Sequence, residues 1–209
     1  MTVVSLKTGE YRADGAVKVE FSDGNSLLVA PDYLFEEQSP KNEENPFLWE
    51  AGHELSSGEE ESLRFAAACY QAERVAMKLV ARAEQNSQGL IVKLERRGYD
   101  ALVAKTVVSH LLSRNLLDDG RYAELWIRSR LAGGKAPTPR WLLVSLQKRR
   151  IDRAFSRTAL TKVLDPETEY ALLLKYLEAA PEGKKAGYLR ARLKYEGFSY
   201  AVLQRYFDD

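Results

Sequence analysis

Residues 116–130, LLDDGRYAELWIRSR, have the pattern of a helix start followed by an amphipathic helix. Asp118 or Asp119 provides the short acceptor side chain that is favoured at a helix N-cap. Apolar residues recur at helical spacing and predict a face turned to the core: Tyr122, Leu125 and Trp126. The basic residues fall elsewhere on the helix and are predicted to reach solvent: Arg121, Arg128 and Arg130.

Charge divides the sequence into two regions. Residues 1–60 contain 4 Lys or Arg and 13 Asp or Glu, whereas residues 61–209 carry a net charge of +10. The basic region suits an anionic partner such as nucleic acid, although Lys/Arg-rich helical surfaces give the same charge without any ligand. A single cysteine, Cys69, no secretory signal and no apolar run near the ~20 residues that span a bilayer predict a cytoplasmic protein.

The first 35 residues predict a small β-meander or hairpin appendage. Valine and phenylalanine at 17, 19 and 21 alternate with polar residues, and Asp23-Gly24 is a strong hairpin signal. Three short strands are marginal alone, so we expect a helix or a partner to cover their apolar face. Residues 36–58 are acidic and contain two prolines, which predicts a linker. Within it, Phe47-Leu48-Trp49 is either a docking segment or a short helical turn.

An internal repeat organises the remainder of the chain. Three blocks align without gaps: VKLERRGYD (92–100), VSLQKRRID (144–152) and ARLKYEGFS (191–199). A helical pattern lies before each block and another follows it. The predicted fold is therefore mainly α, with a leading helix and a first three-helix unit over residues 59–116. Two further three-helix units are predicted over residues 117–164 and 165–209.

Helix-capping residues agree with this register. Ser57 and Glu60 have capping-box spacing at the start of the leading helix, and Thr138-Pro139 is a good N-cap and N1 pair. Aspartates precede other helices, at positions 100, 152 and 165. Gly98 and Gly197 stand where a helix ends with positive φ, and Arg150 replaces the equivalent glycine in the middle block. We therefore expect the middle turn to differ or to be slightly strained.

The middle unit resembles the core signature of the RecX family. The resemblance lies in LLDDGRYAELWIRSRL, followed by Gly134, Lys135, Arg140 and the block at 146–152. Residues 87–98 also resemble the first unit of that family, so the similarity covers about residues 70–209. Departures are Arg150 in place of glycine, Gly89 near a helix start and the Pro-containing loop GGKAPTP.

This resemblance implies a regulator of the RecA recombinase, acting in DNA recombination and repair, and not an enzyme. Family members bind the RecA nucleoprotein filament in its helical groove. They oppose filament growth, ATP hydrolysis and strand exchange, and some also bind DNA directly. The resemblance implies no cofactor, and we expect a monomer.

Basic residues recur at equivalent positions of the repeat and predict a contact face for the filament. The recurring residues are Lys93, Arg96 and Arg97 in the first unit and Lys148, Arg149 and Arg150 in the second. The middle unit adds Arg121, Arg128, Arg130, Lys135 and Arg140 to the predicted face. Cations near a helix C-terminus are also stabilising by ~0.3–1 kcal/mol each, which explains part of this set without a ligand. Two other functions remain open. One is sequence-independent DNA binding by helix-turn-helix-like units, and the other is an interaction module that uses the β appendage.

The aromatic residues and histidines allow alternative interpretations. Tyr122, Trp126 and Trp141 either pack in the core with their apolar neighbours or stack on bases, as in single-strand binders.

The sequence lacks a Gly-rich phosphate loop, a metal-spaced Cys/His cluster and a G-x-S-x-G motif. His53 has no Cys or second His nearby, and His110 has the position of a helix-face histidine. We therefore predict neither a catalytic nor a metal site.

Overall fold

The structure is a computed structural model that describes residues 2–8, 15–34, 51–134, 136–179 and 186–208. Three strands lie at the N-terminal end: β1 (Val3–Thr8), β2 (Val17–Phe21) and β3 (Ser26–Val29). A 3-10 turn at Pro31–Tyr33 follows them. The described helices are α1 (Ser57–Arg82), α2 (Ser87–Glu95), α3 (Ala101–Ser113), α4 (Asp119–Leu131), α5 (Pro139–Lys148), α6 (Arg153–Val163), α7 (Pro166–Glu178), α8 (Ala186–Tyr195) and α9 (Tyr200–Asp208).

The chain folds as two compact units. Unit 1 comprises Met1–Ala83 and Leu90–Leu116, and unit 2 comprises Glu84–Gly89 and Leu117–Asp209. The mainly helical fold with a small antiparallel sheet confirms the predicted fold class. The division of the helical region into three three-helix units stays a prediction, as do the boundaries of those units. Of the linker predicted over residues 36–58, residues 36–50, which contain Phe47-Leu48-Trp49, lie outside the described residues.

Unit 1 contains the sheet, whose antiparallel order is β1-β2-β3. Alternation in β2 buries Val17, Val19 and Phe21 on one face, as the period of two predicts. At the hairpin, the Phe21 amide donates to the Asn25 carbonyl, and Gly24 has a φ of 82°. Helix α1 contacts β3 and the 3-10 turn, so a helix covers the sheet as expected.

Helix α1 corrects one predicted cap. Its N-cap is Ser56, whose side chain accepts from the Glu59 amide, and Glu59 in turn accepts from the Ser56 amide. The predicted pair of Ser57 and Glu60 is therefore wrong by one residue. The pairs Ser56-Glu59 and Ser57-Glu60 have the same spacing. Ser56 is the last residue with extended backbone, so the helix begins at Ser57 and Ser56 is the cap. The helix then continues without interruption to Arg82.

In the described part of unit 2, helices α4 to α9 share a hydrophobic core. Buried side chains from these helices and from the turns between them form it: Ala123, Trp126, Ile127, Leu142, Leu146, Ile151, Ala159, Val163, Leu164, Leu172, Leu173, Leu193, Phe198, Val202 and Leu203. Tyr122 packs against this cluster, but Leu125 does not, because 49% of it is exposed. The prediction that Leu125 belongs to the apolar face of α4 is therefore wrong. The buried face of α4 is formed by Ala123, Trp126 and Ile127, and Leu125 projects from the opposite side of the helix.

The three aligned blocks end in the same backbone geometry. In each block, the carbonyl of a fully buried leucine accepts a hydrogen bond from the amide of the residue five positions later. The pairs are Tyr99 to Leu94, Ile151 to Leu146 and Phe198 to Leu193. This is the Schellman arrangement, which needs a left-handed residue just after the helix. Gly98, Arg150 and Gly197 occupy that place with φ of 89°, 61° and 90°. The strain expected at Arg150 is thus localised to one positive φ.

Replacing Arg150 by glycine should stabilise unit 2 by about 0.5–1 kcal/mol. A non-glycine residue in the left-handed region costs ~1–2 kcal/mol, and glycine removes this cost. Glycine also raises the conformational entropy of the unfolded chain, which offsets part of the gain in stability. Urea denaturation followed by circular dichroism measures the difference. Lys148→Gly is the matched control, because Lys148 is an exposed helical residue where glycine should cost about 1 kcal/mol. Equal destabilisation by both substitutions would contradict the strain at Arg150.

Candidate partner-binding surface

Two capped helices of unit 2 contain five of the eleven predicted contact residues, and Arg149 and Arg150 directly follow the second of them. Asp118 is the N-cap of α4 and accepts from the Arg121 amide at 2.9 Å, which settles the choice between Asp118 and Asp119. Thr138 caps α5 with Pro139 in the first turn, as predicted, and accepts from the Trp141 amide at 3.2 Å. These caps fix where each helix begins and therefore which side chains share a face.

Asp119 has a different function from the predicted cap. Its carboxylate accepts from the Ser87 amide at 2.7 Å and from the Ser87 hydroxyl at 2.6 Å, so it satisfies the free end of α2 rather than that of α4. Nearby, the Asn86 amide group donates to the Arg149 carbonyl at 2.8 Å. Residues 84–89 are thereby integrated into unit 2.

An aromatic and cationic cluster joins α4 to α5. The Trp126 and Trp141 rings stack with centroids 5.9 Å apart and planes inclined by 22°. The guanidinium carbons of Arg149 and Arg130 lie 4.5 Å and 5.1 Å from the Trp126 centroid, within cation–π range. We call these four residues the tryptophan cluster. Trp126 is buried, in agreement with the core-packing alternative, whereas 48% of Trp141 is exposed and its ring packs on Trp126 at the edge of the core.

Arg149 also has a structural role. Its Nη1 donates to the Ser145 carbonyl at 2.9 Å, and Arg97 in unit 1 donates in the same way to the Lys93 carbonyl at 2.8 Å. In both cases a guanidinium satisfies a carbonyl at a helix C-terminus, where the helix dipole favours positive charge. The interpretation of these two arginines as helix-stabilising cations therefore has direct geometric support.

The remaining predicted residues of α4 lie on another face. Arg121 and Arg128 are seven residues apart and share the exposed side that also carries Leu125, about half a turn away from Trp126. Arg121 is paired with Glu84, whose Oε1 lies 2.8 Å from Nη2, and this hydrogen bond raises the pKa of the guanidinium. Arg128 is exposed and makes no ion pair with a described residue.

The structure brings together only part of the predicted set. Arg130 and Arg149 meet at Trp126, and Arg140 instead lies over the Tyr195 ring, 3.9 Å from its centroid. Lys148 and Arg150 are exposed at the end of α5, and Lys135 lies outside the described residues. The other three predicted residues belong to unit 1, where all are exposed: Lys93, Arg96 and Arg97.

Next to the tryptophan cluster, unit 2 contains an open pocket of about 660 Å³, which we call the Trp141 pocket. Its lining includes Ser129, Arg130, Pro137, Thr138, Trp141 and Glu196. No local sequence pattern marks Glu196 as a site residue, and only the tertiary structure reveals it, because its hydrogen-bond partner Thr138 is 58 residues away. Among the described residues, no group of three or more His, Cys, Asp or Glu side chains has the arrangement of a metal site.

The described residues of unit 1 contain a polar cluster around His110. His110 on α3 lies against the Tyr33 ring, with centroids 5.0 Å apart, and its Nε2 is 3.8 Å from Asp32 and 3.9 Å from Glu73. Burial, assisted by the Glu73 carboxylate, raises the pKa of the Tyr33 phenol, and burial raises that of the Cys69 thiol to about 12. Both groups are therefore neutral near pH 7, and neither is poised as a nucleophile.

The sequence matches no protein-family profile. However, regulatory protein RecX of Treponema pallidum (strain Nichols) is 34% identical to it over 145 residues, which is 68% of this chain and 86% of that relative. The chain belongs to the RecX family. Regulatory protein RecX of Syntrophotalea carbinolica is 30% identical over 147 residues, covering 64% of this chain and 92% of the relative. The predicted RecX resemblance is thereby confirmed.

RecX crystal structures have the same fold. A crystal structure of regulatory protein RecX has a TM-score of 0.67 and 17% identity, and covers 100% of this chain and 99% of its own. RecX from Lactobacillus salivarius has a TM-score of 0.52 and 18% identity over 68% of this chain and 95% of its own. In the described part of this RecX family member, none of the helices is both long and apolar enough to cross a membrane.

Proposed function

We propose that this protein binds the RecA nucleoprotein filament and restrains RecA, slowing its ATP hydrolysis, filament growth and strand exchange. Membership of the RecX family, whose relatives are named as regulatory proteins, carries this proposal. The residues of unit 2 support it, because Arg128, Lys148 and Arg150 are exposed cations without an ion pair among the described residues. A filament of protein and polyanionic DNA offers many acidic groups to such a surface.

Within the proposed contact face, the residues divide by role. Arg121 and Arg149 are engaged in intramolecular contacts, with Glu84 and with Ser145 and Trp126. Their contribution to a partner is therefore smaller than their position in the sequence pattern suggests. Arg128, Lys148 and Arg150 can turn to a partner without breaking such contacts, and we assign them the larger share of the binding energy.

The decisive experiment titrates this protein into RecA that hydrolyses ATP on single-stranded DNA, at two salt concentrations. We expect hydrolysis to fall while the protein is still substoichiometric to RecA, because one bound regulator affects neighbouring protomers of a filament. Loss of hydrolysis only when the protein suffices to cover the DNA, with strong relief by salt, would point to competition for DNA. Unchanged hydrolysis at both salt concentrations would refute the proposal.

A second candidate function is direct, sequence-independent binding of DNA. The tryptophan cluster favours it, because a half-exposed indole beside two guanidinium groups has the chemistry of single-strand-binding surfaces. This function does not require RecA, so binding to naked oligonucleotides separates it from the first. The two functions are compatible if different faces of α4 and α5 serve them.

A further inference from the structure

The Trp141 pocket combines groups that the proposed regulator function does not use. Its volume of about 660 Å³ falls within the ~300–1,000 Å³ typical of small-ligand sites. One wall is the Trp141 indole, a second is the segment with Pro137 and Thr138, and Arg130 and Glu196 add one charge of each sign. A flat aromatic wall together with one cation and one anion is an unusual lining for a site that takes a purely apolar side chain.

Trp141 is held so that part of its ring remains available. Its indole stacks on buried Trp126 at 5.9 Å, and Trp126 is itself covered by Arg149 and Arg130. An indole has two faces, and packing on Trp126 fixes one of them while 48% of Trp141 stays exposed. The ring is thus preorganised to accept a second planar group by offset stacking.

Glu196 is fixed at the pocket from two directions. Its Oε2 accepts from the Thr138 hydroxyl at 2.9 Å, and its backbone carbonyl accepts from the Arg140 amide at 2.9 Å. Its other carboxylate oxygen, Oε1, has no hydrogen-bond partner among the described residues. A positioned carboxylate with one free oxygen is an acceptor for the amino group of a base, as in the pairing of Glu or Asp with cytosine N4.

The surrounding charge indicates which ligand carries that planar group. Arg130 lines the pocket, and Arg140 lies over the ring of Tyr195, the residue that precedes Glu196. These cations disfavour a Lys or Arg side chain of a protein partner, whereas the Glu196 carboxylate disfavours an acidic one. An unpaired nucleotide satisfies both, because its phosphate meets the cations and its base meets Trp141 and Glu196.

We propose that the Trp141 pocket binds one unpaired, amino-bearing base of a single-stranded nucleic acid, stacked on Trp141 and hydrogen-bonded to Glu196. Cytosine offers the N4 amino group to Oε1. Thymine instead presents carbonyl oxygens on both sides of its only N–H, and these repel the carboxylate. The pocket therefore prefers cytosine to thymine, two bases of equal ring size. This inference rests on the second candidate function, direct binding of DNA, and does not depend on RecA.

The test compares fluorescently labelled oligo-dC and oligo-dT of equal length, titrated with the full chain and followed by anisotropy without RecA. Wild-type protein should bind oligo-dC more tightly than oligo-dT. Trp141→Ala should weaken oligo-dC binding by roughly 10- to 100-fold, as expected for loss of one stacked base. Val144→Ala is the matched control, because Val144 is an exposed apolar residue of the same helix, and this variant should bind like wild type.

Glu196→Gln tests the hydrogen bond without removing the side chain. With its amide oxygen accepting from Thr138, the glutamine presents an NH2 donor to the base in place of the Oε1 acceptor. The preference for oligo-dC over oligo-dT should therefore disappear or reverse while binding persists. Equal affinity of the wild-type chain for the two oligonucleotides would overturn the proposal. Oligonucleotide binding unaffected by Trp141→Ala, with loss of binding to the RecA filament, would assign the pocket to a protein partner and overturn it as well. The ATP hydrolysis assay tests regulation separately.

Discussion

Replacing Arg128, Lys148 and Arg150 together by glutamate is expected to weaken binding to the RecA filament at least 100-fold. All three side chains are exposed and make no ion pair with a described residue, so the fold should tolerate the change. An exposed charge pair contributes up to ~1 kcal/mol, and reversal replaces that attraction by repulsion. Three reversals therefore cost about 3 kcal/mol, which corresponds to about two orders of magnitude in affinity.

A control with the same change in net charge separates a contact from a general loss of attraction. Lys105, Arg153 and Arg157 are also exposed cations, but they are not in the predicted face. Their replacement by glutamate should reduce filament affinity far less, by only a few-fold through the long-range field. Filament pelleting with both triple variants measures the difference, and circular dichroism checks their helicity. Equal losses of filament affinity in the two triple variants would contradict the assignment of Arg128, Lys148 and Arg150 to the contact face.

The largest effect on stability is expected from Gly197→Ala, which should destabilise unit 2 by about 3 kcal/mol. Gly197 has a φ of 90°, where a side chain costs ~1–2 kcal/mol. In addition, an alanine Cβ would lie only 3.1 Å from the Arg140 amide nitrogen and 3.4 Å from the Pro139 Cβ. That amide donates to the Glu196 carbonyl, so the backbone cannot retreat without losing a hydrogen bond.

Gly98→Ala provides the comparison, because Gly98 has nearly the same φ of 89° but nothing within 4 Å of an added Cβ. This variant should lose only the ~1–2 kcal/mol of the backbone term. Urea denaturation followed by circular dichroism gives both free energies of unfolding. If Gly197→Ala lowers the free energy of unfolding no more than Gly98→Ala, the close approach between Gly197, just after α8, and the start of α5 is incorrect.

Local chemistry explains which features could be predicted from the sequence. Caps at Asp100, Asp118, Thr138, Asp152 and Asp165 are correct because a cap depends on residues two or three positions away. The same locality produced the one incorrect capping box. Ser56-Glu59 and Ser57-Glu60 have identical spacing, and only the backbone at Ser56, with ψ of 163°, distinguishes them.

Features of the candidate site that depend on distant residues could not be predicted in this way. Trp126 and Trp141 are the same residue type on neighbouring helices, yet 8% of the first and 48% of the second is exposed. Their difference arises from packing between α4 and α5, which helical periodicity alone does not describe. Likewise, nothing near Glu196 in the sequence indicates that it accepts from Thr138. Burial and side-chain pairing across the core therefore required the structure.

The contact of Asp119 with Ser87 has a practical consequence for dissecting this protein. A fragment that begins at residue 117 retains every helix from α4 to α9 but lacks residues 84–89, which belong to the same unit. In that fragment the Asp119 carboxylate loses the Ser87 amide and hydroxyl, and the Arg149 carbonyl loses Asn86. Expression of the C-terminal region by itself therefore calls for residues 84–89 to be supplied, either as a peptide or grafted through a redesigned connection.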